Sequence, residues 1–307
     1  MSKNILLIGS QGFLGSHVKN LLDQNHENYQ EIKNKKDVDI RNLEELDKFV
    51  RQNEFKSIIN CSAFVGGIAF GYKYQADLLQ LNSLMAVNIY EMAKKYKIEK
   101  VINPISNCVY PGHLELYEEK NFWNGPPHES VFNYGLSKRL MVGLGESFYQ
   151  QYGITTSNVI MSNMYGPHDH FEEERSHALG AIIKKVSDAK KSQSKSIEIW
   201  GTGKPIREWL YVEDGAKALV NSLNLNNGSY LFNVGINKGS SINEISDMIS
   251  HAFNWDGNFV YDSSKPDGVM KKTVNGDYGK RLLDWAPEVK LNDGIKKTVD
   301  WYIKNYE

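Results

Sequence analysis

The chain has 307 residues, with 36 basic and 37 acidic side chains, a formal net charge of −1 and two cysteines. That length is ample for a buried core, in one large α/β unit or in two domains sharing a cleft. Balanced charge with no basic run interleaved with aromatics excludes a general nucleic-acid surface, and no apolar stretch has the length of a membrane span. The opening MSKNILLIG enters a strand without a signal-peptide core, so a cytoplasmic location is expected.

Asn4 to Ile8 reads as a buried strand, followed by the loop GSQGFLGS and a helix from Phe13 to Leu22. Gly9, Gly12 and Gly15, with Gln11, Phe13 and Leu14 among them, make a strand–loop–helix unit. Such a unit lets a pyrophosphate approach backbone N–H groups at a helix N-terminus. A second strand falls near Tyr29 to Ile32. An NAD-selective site carries an acid there for the ribose hydroxyls, whereas this chain continues with Lys33, Lys35 and Lys36, which favours NADP(H) with NAD(H) as the alternative. Asp39 and Ile40, in DVDIRN, are placed against the adenine.

Phe55 to Asn60 is the third strand, and the backbone of Ser62 and Ala63 after it is expected to flank the cofactor. The helix from Ala76 to Tyr96 carries Leu78, Leu81, Met85, Ile89 and Met92 at near-heptad spacing. With the apolar side of the Tyr134 helix it can form a homodimer seam, or it can pack within one subunit.

The central stretch pairs a strand tip with a helix face. VINPISNCVYP ends an apolar run in Ser106, Asn107 and Cys108, and VFNYGLSKRLM opens a helix with Tyr134 and Lys138 one turn apart. Residues four apart project to one side of a helix. The Lys138 ammonium is therefore expected to lower the Tyr134 pKa from the usual value of about 10, and the Ser106 hydroxyl to bind a substrate oxygen at the carboxyl end of a parallel strand. Together they make a carbonyl/alcohol site. The same spacing at Tyr29 with Lys33, Tyr90 with Lys94 and Tyr96 with Lys100 lacks a strand-end serine before it and reads as surface pairing.

Thr156 to Met161 is a further strand, leading to SNMYGPHDHF. Beyond it come a helix from Ser176 to Val186, a strand from Ser196 to Trp200, and helices near Ile242 to Phe253 and Asp293 to Lys304. The expected fold is a doubly wound parallel α/β sheet (Rossmann) with a smaller α/β C-terminal substrate domain. The expected division is 1–165 for the dinucleotide and 166–307 for the substrate, with segments near 205–235 returning to the first domain. In the strand order 3-2-1-4, Cys61 and Cys108 end strands separated by two others, roughly 14 Å apart and out of disulfide reach. No metal site is expected from two cysteines without paired histidines.

On FVGGI at 64–68, SNCVYP at 106–111, NMYGPHDHF at 163–171, WGTGKPIREWLYVEDGAKA at 200–218 and SKPDGVMKK at 264–272, the chain resembles the GDP-L-fucose synthase family of extended short-chain dehydrogenases/reductases. The resemblance implies a nucleotide-sugar substrate, GDP-linked, epimerised at C3 and C5 of a 4-keto-6-deoxy sugar and reduced at C4. It implies Ser106, Tyr134 and Lys138 as the reductase triad, Cys108 as epimerisation base and His177 as epimerisation acid, with His170 competing. It also implies Lys185, Trp200 and Arg207 on the nucleotide and its phosphates, Asn163 at the sugar, and Lys271 near the phosphates where the family has an arginine.

Gln11 and Asn107 also depart from the family pattern, as does the loop GHLELYEEKNFWNGPPHES, so a GDP-linked heptose is an alternative sugar. A C4-reductase without epimerase activity, a C4-epimerase retaining its NAD, and a non-catalytic NADP-sensing protein complete the alternatives.

Overall fold

A computed structural model describes residues 4–172, 175–265, 267 and 269–307; Pro266 and Gly268 of the SKPDGVMKK stretch lie outside them. The first half runs β1 (Ile5–Ile8), α1 (Phe13–Gln24), β2 (Tyr29–Ile32), α2 (Leu43–Val50), β3 (Ser57–Asn60), α3 (Ile68–Lys73), α4 (Gln75–Lys95), β4 (Lys100–Ser106), β5 (Leu116–Tyr117) and α5 (Phe132–Tyr152). The apolar runs of β1 and β3 are buried on both faces, as parallel strands covered by helices require. Asn42 starts α2 by accepting N–H bonds from Glu44 and Glu45. Gly153, at φ +71°, ends α5.

The second half runs β6 (Thr155–Met161), β7 (Asn163–Tyr165), α6 (Ala178–Lys191), β8 (Ser196–Trp200), β9 (Ile206–Tyr211), α7 (Val212–Asn221), β10 (Ser229–Val234), β11 (Gly239–Ser241), α8 (Ile242–Phe253), β12 (Asn258–Asp262), β13 (Lys271–Val274), α9 (Asp277–Leu283) and α10 (Leu291–Tyr306). A capping box between Ser241 and Glu244 opens α8.

Six parallel strands form the main sheet in the order β10-β6-β4-β3-β1-β2. A smaller sheet, β11-β9-β13-β5 with β7 beside β9, and the parallel pair β8–β12 build the substrate side. The chain passes from β9 in the smaller sheet through α7 to β10 in the main sheet, and back to β11.

The expected order 3-2-1-4 is corrected by this topology. From β2 the chain crosses back over β1, so β3 lies between β1 and β4 and the strands that end at Cys61 and Cys108 are neighbours. The separation argument for the cysteines therefore fails, although both thiols are free. The reversal also sets the topological switch point between β1 and β3, where doubly wound sheets hold their ligands. Among the described residues no helix is long and apolar enough to cross a membrane, and no acidic, histidine and cysteine cluster could hold a metal ion.

Candidate active site

At the switch point the glycine loop and the chain after β3 touch. Gly9 has φ +82°, and a Cβ there would stand 3.0 Å from the Cys61 carbonyl carbon and the Ser62 nitrogen. A Cβ on Gly15 would fall 2.0 Å from the Gly9 carbonyl oxygen. Gly12 caps α1 without a side-chain hydrogen bond, and no acidic residue occupies the first turn, so the N–H groups there are free for an anion. Gly12, Phe13, Leu14, Ser62 and Ala63 line one end of a cleft of about 1160 Å³.

The segment after β2 is organised by side chains whose role was not visible in the sequence. Asn34 donates to the Gln11 carboxamide oxygen at 2.5 Å and accepts the Lys36 N–H at 2.9 Å. Lys33, Lys35 and Lys36 are exposed. Asn88 of α4 donates to the carbonyls of Ile40 and Arg41, each at 2.9 Å, and so fixes the DVDIRN turn. Arg41 forks onto Asp39 and holds its carboxyl below the usual range.

The middle of the cleft is lined by Ser106, Cys108, Tyr134, Lys138, Asn163, His170 and His177. Ser106 ends β4 and accepts the Cys108 N–H at 3.4 Å, starting the 3-10 turn Asn107–Val109. Lys138 is 2% exposed; its Nζ sits 5.7 Å from the Tyr134 ring centroid and donates to the Pro104 carbonyl at 3.4 Å. Asn163 donates to the Glu208 carbonyl at 3.1 Å.

Electrostatics correct one expectation here. Burial raises the Tyr134 pKa above that of a free phenol, with the Cys108 charge adding to the effect, so the expected depression by Lys138 does not occur. Desolvation wins because the ammonium faces the ring and a backbone carbonyl. The same burial lowers Lys138 to about 8 and raises the Cys108 thiol, the latter against the pull of Ser106, Lys272 and Lys138. His177 has surface open to the cleft yet is closely surrounded by protein, and desolvation lowers its pKa, with His170 adding to the fall. At neutral pH the site thus holds a phenol, a thiol, a neutral imidazole and an ammonium.

Because Lys138 carries its charge only below about 8, turnover that needs this cation should decline as pH rises through that value. A rate–pH profile that stays flat through this region would remove Lys138 from the mechanism.

At the far end Arg207, Lys272 and Arg175 line the cleft. Arg207 donates to the Ile206 carbonyl at 2.8 Å. The expectation for Lys271 shifts by one residue: it is exposed, whereas Lys272 points inward, as alternation along β13 dictates. Trp200 and Lys185 do not line this cleft. Trp200 is 69% exposed at the end of β8, with the Lys265 Nζ 5.7 Å from its ring centroid, so it is not a core residue. Lys185 donates to the Glu198 carbonyl on the same strand at 2.8 Å.

Two buried carboxyls were missed by sequence reasoning. Asp169, in the quoted GPHD, lines the cleft and is pushed up to about 7 by burial. Glu208 is fully buried and accepts N–H bonds from Ile236 at 2.7 Å and Val274 at 2.9 Å, tying β9 to β13 and to the connection after β10.

The curated relatives extend over the whole chain. A GDP-L-fucose synthase 1 from Arabidopsis thaliana is 28% identical over 305 residues, covering 99% of this chain and 94% of that protein. The GDP-L-fucose synthase of Escherichia coli (strain K12) is 27% identical over 320 residues, covering 100% of this chain and 99% of that protein. Among solved structures, the GDP-L-fucose synthetase of Naegleria fowleri bound to NADP superposes with a TM-score of 0.90 at 27% identity, covering 100% of this chain and 96% of that one. Residues 5–235, which carry the glycine loop, Ser106, Tyr134 and Lys138, match the model of the NAD dependent epimerase/dehydratase family, and the chain belongs to that family.

Proposed function

We propose that this chain is an NADP(H)-dependent epimerase/reductase that inverts C3 and C5 of a GDP-4-keto-6-deoxy sugar and reduces its C4 carbonyl. The observation that carries the reading is the single cleft lined by Ser106, Cys108, Tyr134, Lys138 and His177. The relatives bearing the name GDP-L-fucose synthase support it along the full length of the chain.

The residues fit a dinucleotide. The Gly9–Gly15 approach leaves no space for a side chain beneath a pyrophosphate, the N-terminus of α1 is uncapped, and exposed lysines follow β2 where an acid would repel a 2′-phosphate. Bound there, NADPH supplies the hydride. Ser106 holds the C4 oxygen, and Tyr134, kept as a phenol by burial, donates its proton to the oxygen as charge develops. Lys138 stabilises the phenolate left behind.

For epimerisation, protons at C3 and C5 are acidic because the carbanion delocalises onto the C4 oxygen. Moving the Cys108 proton to the neutral His177 makes a thiolate base and an imidazolium acid without changing the net charge of the site. Arg207 and Lys272 provide positive charge for the diphosphate, and Trp200 offers an open ring face to the guanine. The resting thiol favours a second reading, a C4-reductase in which Cys108 and His177 are idle.

Incubation with GDP-4-keto-6-deoxymannose and NADPH in deuterated water tests both. NADPH oxidation with deuterium at C3 and C5 is the expected result. Oxidation without label leaves the plain reductase, and no oxidation refutes this substrate.

Two further proposals accompany this one. Two free thiols suit the reducing cytoplasm. The packed pair α4 and α5 leaves Leu84, Val87, Leu136 and Leu140 at 36–44% exposure, which suits a homodimer built on these helices. Sedimentation at micromolar concentration should give twice the chain mass, and a monomer there would end the dimer proposal.

A further inference from the structure

Arg139 follows Lys138 on α5 and is 8% exposed, yet no carboxylate pairs with it among the described residues. A buried cation without a counter-ion is costly unless its donors are used. Here Nε donates to the Val109 carbonyl at 2.8 Å and Nη2 to the Phe122 carbonyl at 2.9 Å. The guanidinium carbon also lies 5.5 Å from the Phe122 ring centroid and 5.7 Å from that of Trp123.

The two acceptors lie on either side of β5 and meet on one fork. Val109 is the residue after Cys108, and Phe122 lies midway along the loop that departs from the family pattern. Between them, Leu116 and Tyr117 pair in register with Thr273 and Val274, which brings the preceding Lys272 into the cleft. Arg139 therefore sits where the turn carrying Cys108, the loop and, through β5, the strand carrying Lys272 are held together.

We propose that Arg139 is a positioning residue of the active site, whose fork holds the Cys108 turn and the 110–122 loop in the geometry that proton transfer at the substrate carbons needs. This rests on the epimerase/reductase reading. The Cys108 thiol answers to the Ser106 hydroxyl, to Lys272 from β13 and to Lys138 from α5, with Tyr134 and Tyr117 also facing it, and Arg139 in turn feels the Cys108 charge across the turn it holds. A lysine would keep the charge but could not make both hydrogen bonds in a planar fork.

The test compares Arg139→Lys and Arg139→Met in the full chain, with thermal melting and NADPH binding as checks of the fold. Iodoacetamide labelling of Cys108, followed by peptide mass spectrometry across neutral to alkaline pH, reads the thiol without any sugar. Its midpoint should move up in Arg139→Met and stay nearer the parent in Arg139→Lys. In deuterated water, Arg139→Lys should lose label at C3 and C5 by about a hundredfold while C4 reduction of an already epimerised substrate falls much less.

A folded Arg139→Met with an unchanged labelling profile, together with equal losses of exchange and reduction in Arg139→Lys, overturns the proposal. If Arg139→Met does not fold, the split in Arg139→Lys decides. If the parent chain turns over no such sugar, the function reading fails by itself, and the labelling profile still decides whether Arg139 acts on Cys108.

Discussion

Tyr134→Phe should slow C4 reduction by about 10²- to 10⁴-fold, the range for loss of a positioned acid, with a much smaller change in NADPH affinity. The substitution keeps the ring over which Lys138 sits at 5.7 Å and removes only the hydroxyl. Burial holds that hydroxyl as a phenol at neutral pH, so its contribution is a proton delivered to an alkoxide rather than a resting negative charge. Single-turnover oxidation of bound NADPH separates this step from binding. A variant that reduces substrate at the parent rate would show that another group, Ser106 or a water, supplies the proton.

Cys108→Ser should abolish deuterium entry at C3 and C5 while sparing reduction of a substrate that has already been epimerised. A serine hydroxyl fills nearly the same space but does not ionise in the accessible pH range, so the base is lost and the turn at the β4 tip is kept. The sign of the parent's pH dependence follows from the raised thiol pKa. The thiolate fraction, and with it exchange started by direct ionisation, rises as pH rises toward that pKa. Exchange that survives in the serine variant would show that Cys108 is not the base.

Some of this was legible in the sequence because the signals are local. The glycine loop lies between its strand and helix at the residues the pattern marks, β2 spans Tyr29–Ile32, and α8 runs from Ile242 to Phe253. Strand order was not legible, since strands of four residues such as β1, β2 and β3 carry no record of their neighbours and adjacency is a long-range choice. The Tyr134–Lys138 spacing placed two side chains on one face but could not show how far burial outweighs a nearby ammonium. Lys271 and Lys272 look alike in a sequence, and only the pleat of β13 says which enters the cleft. Arg139 reads as one more helical cation until the distant carbonyls of Val109 and Phe122 are in place.

The path of the chain between the two sheets bears on how the enzyme can move. From β9 through α7 to β10 and back to β11 the backbone crosses between nucleotide and substrate sides repeatedly, and the buried Glu208 clasps the backbone at Ile236 and Val274 beside those crossings. A hinge needs one or two flexible connections about which rigid bodies swing. Here several would have to bend together, so closing on a sugar must proceed by small shear of packed elements. Most of the width of the cleft is then set when the protein folds.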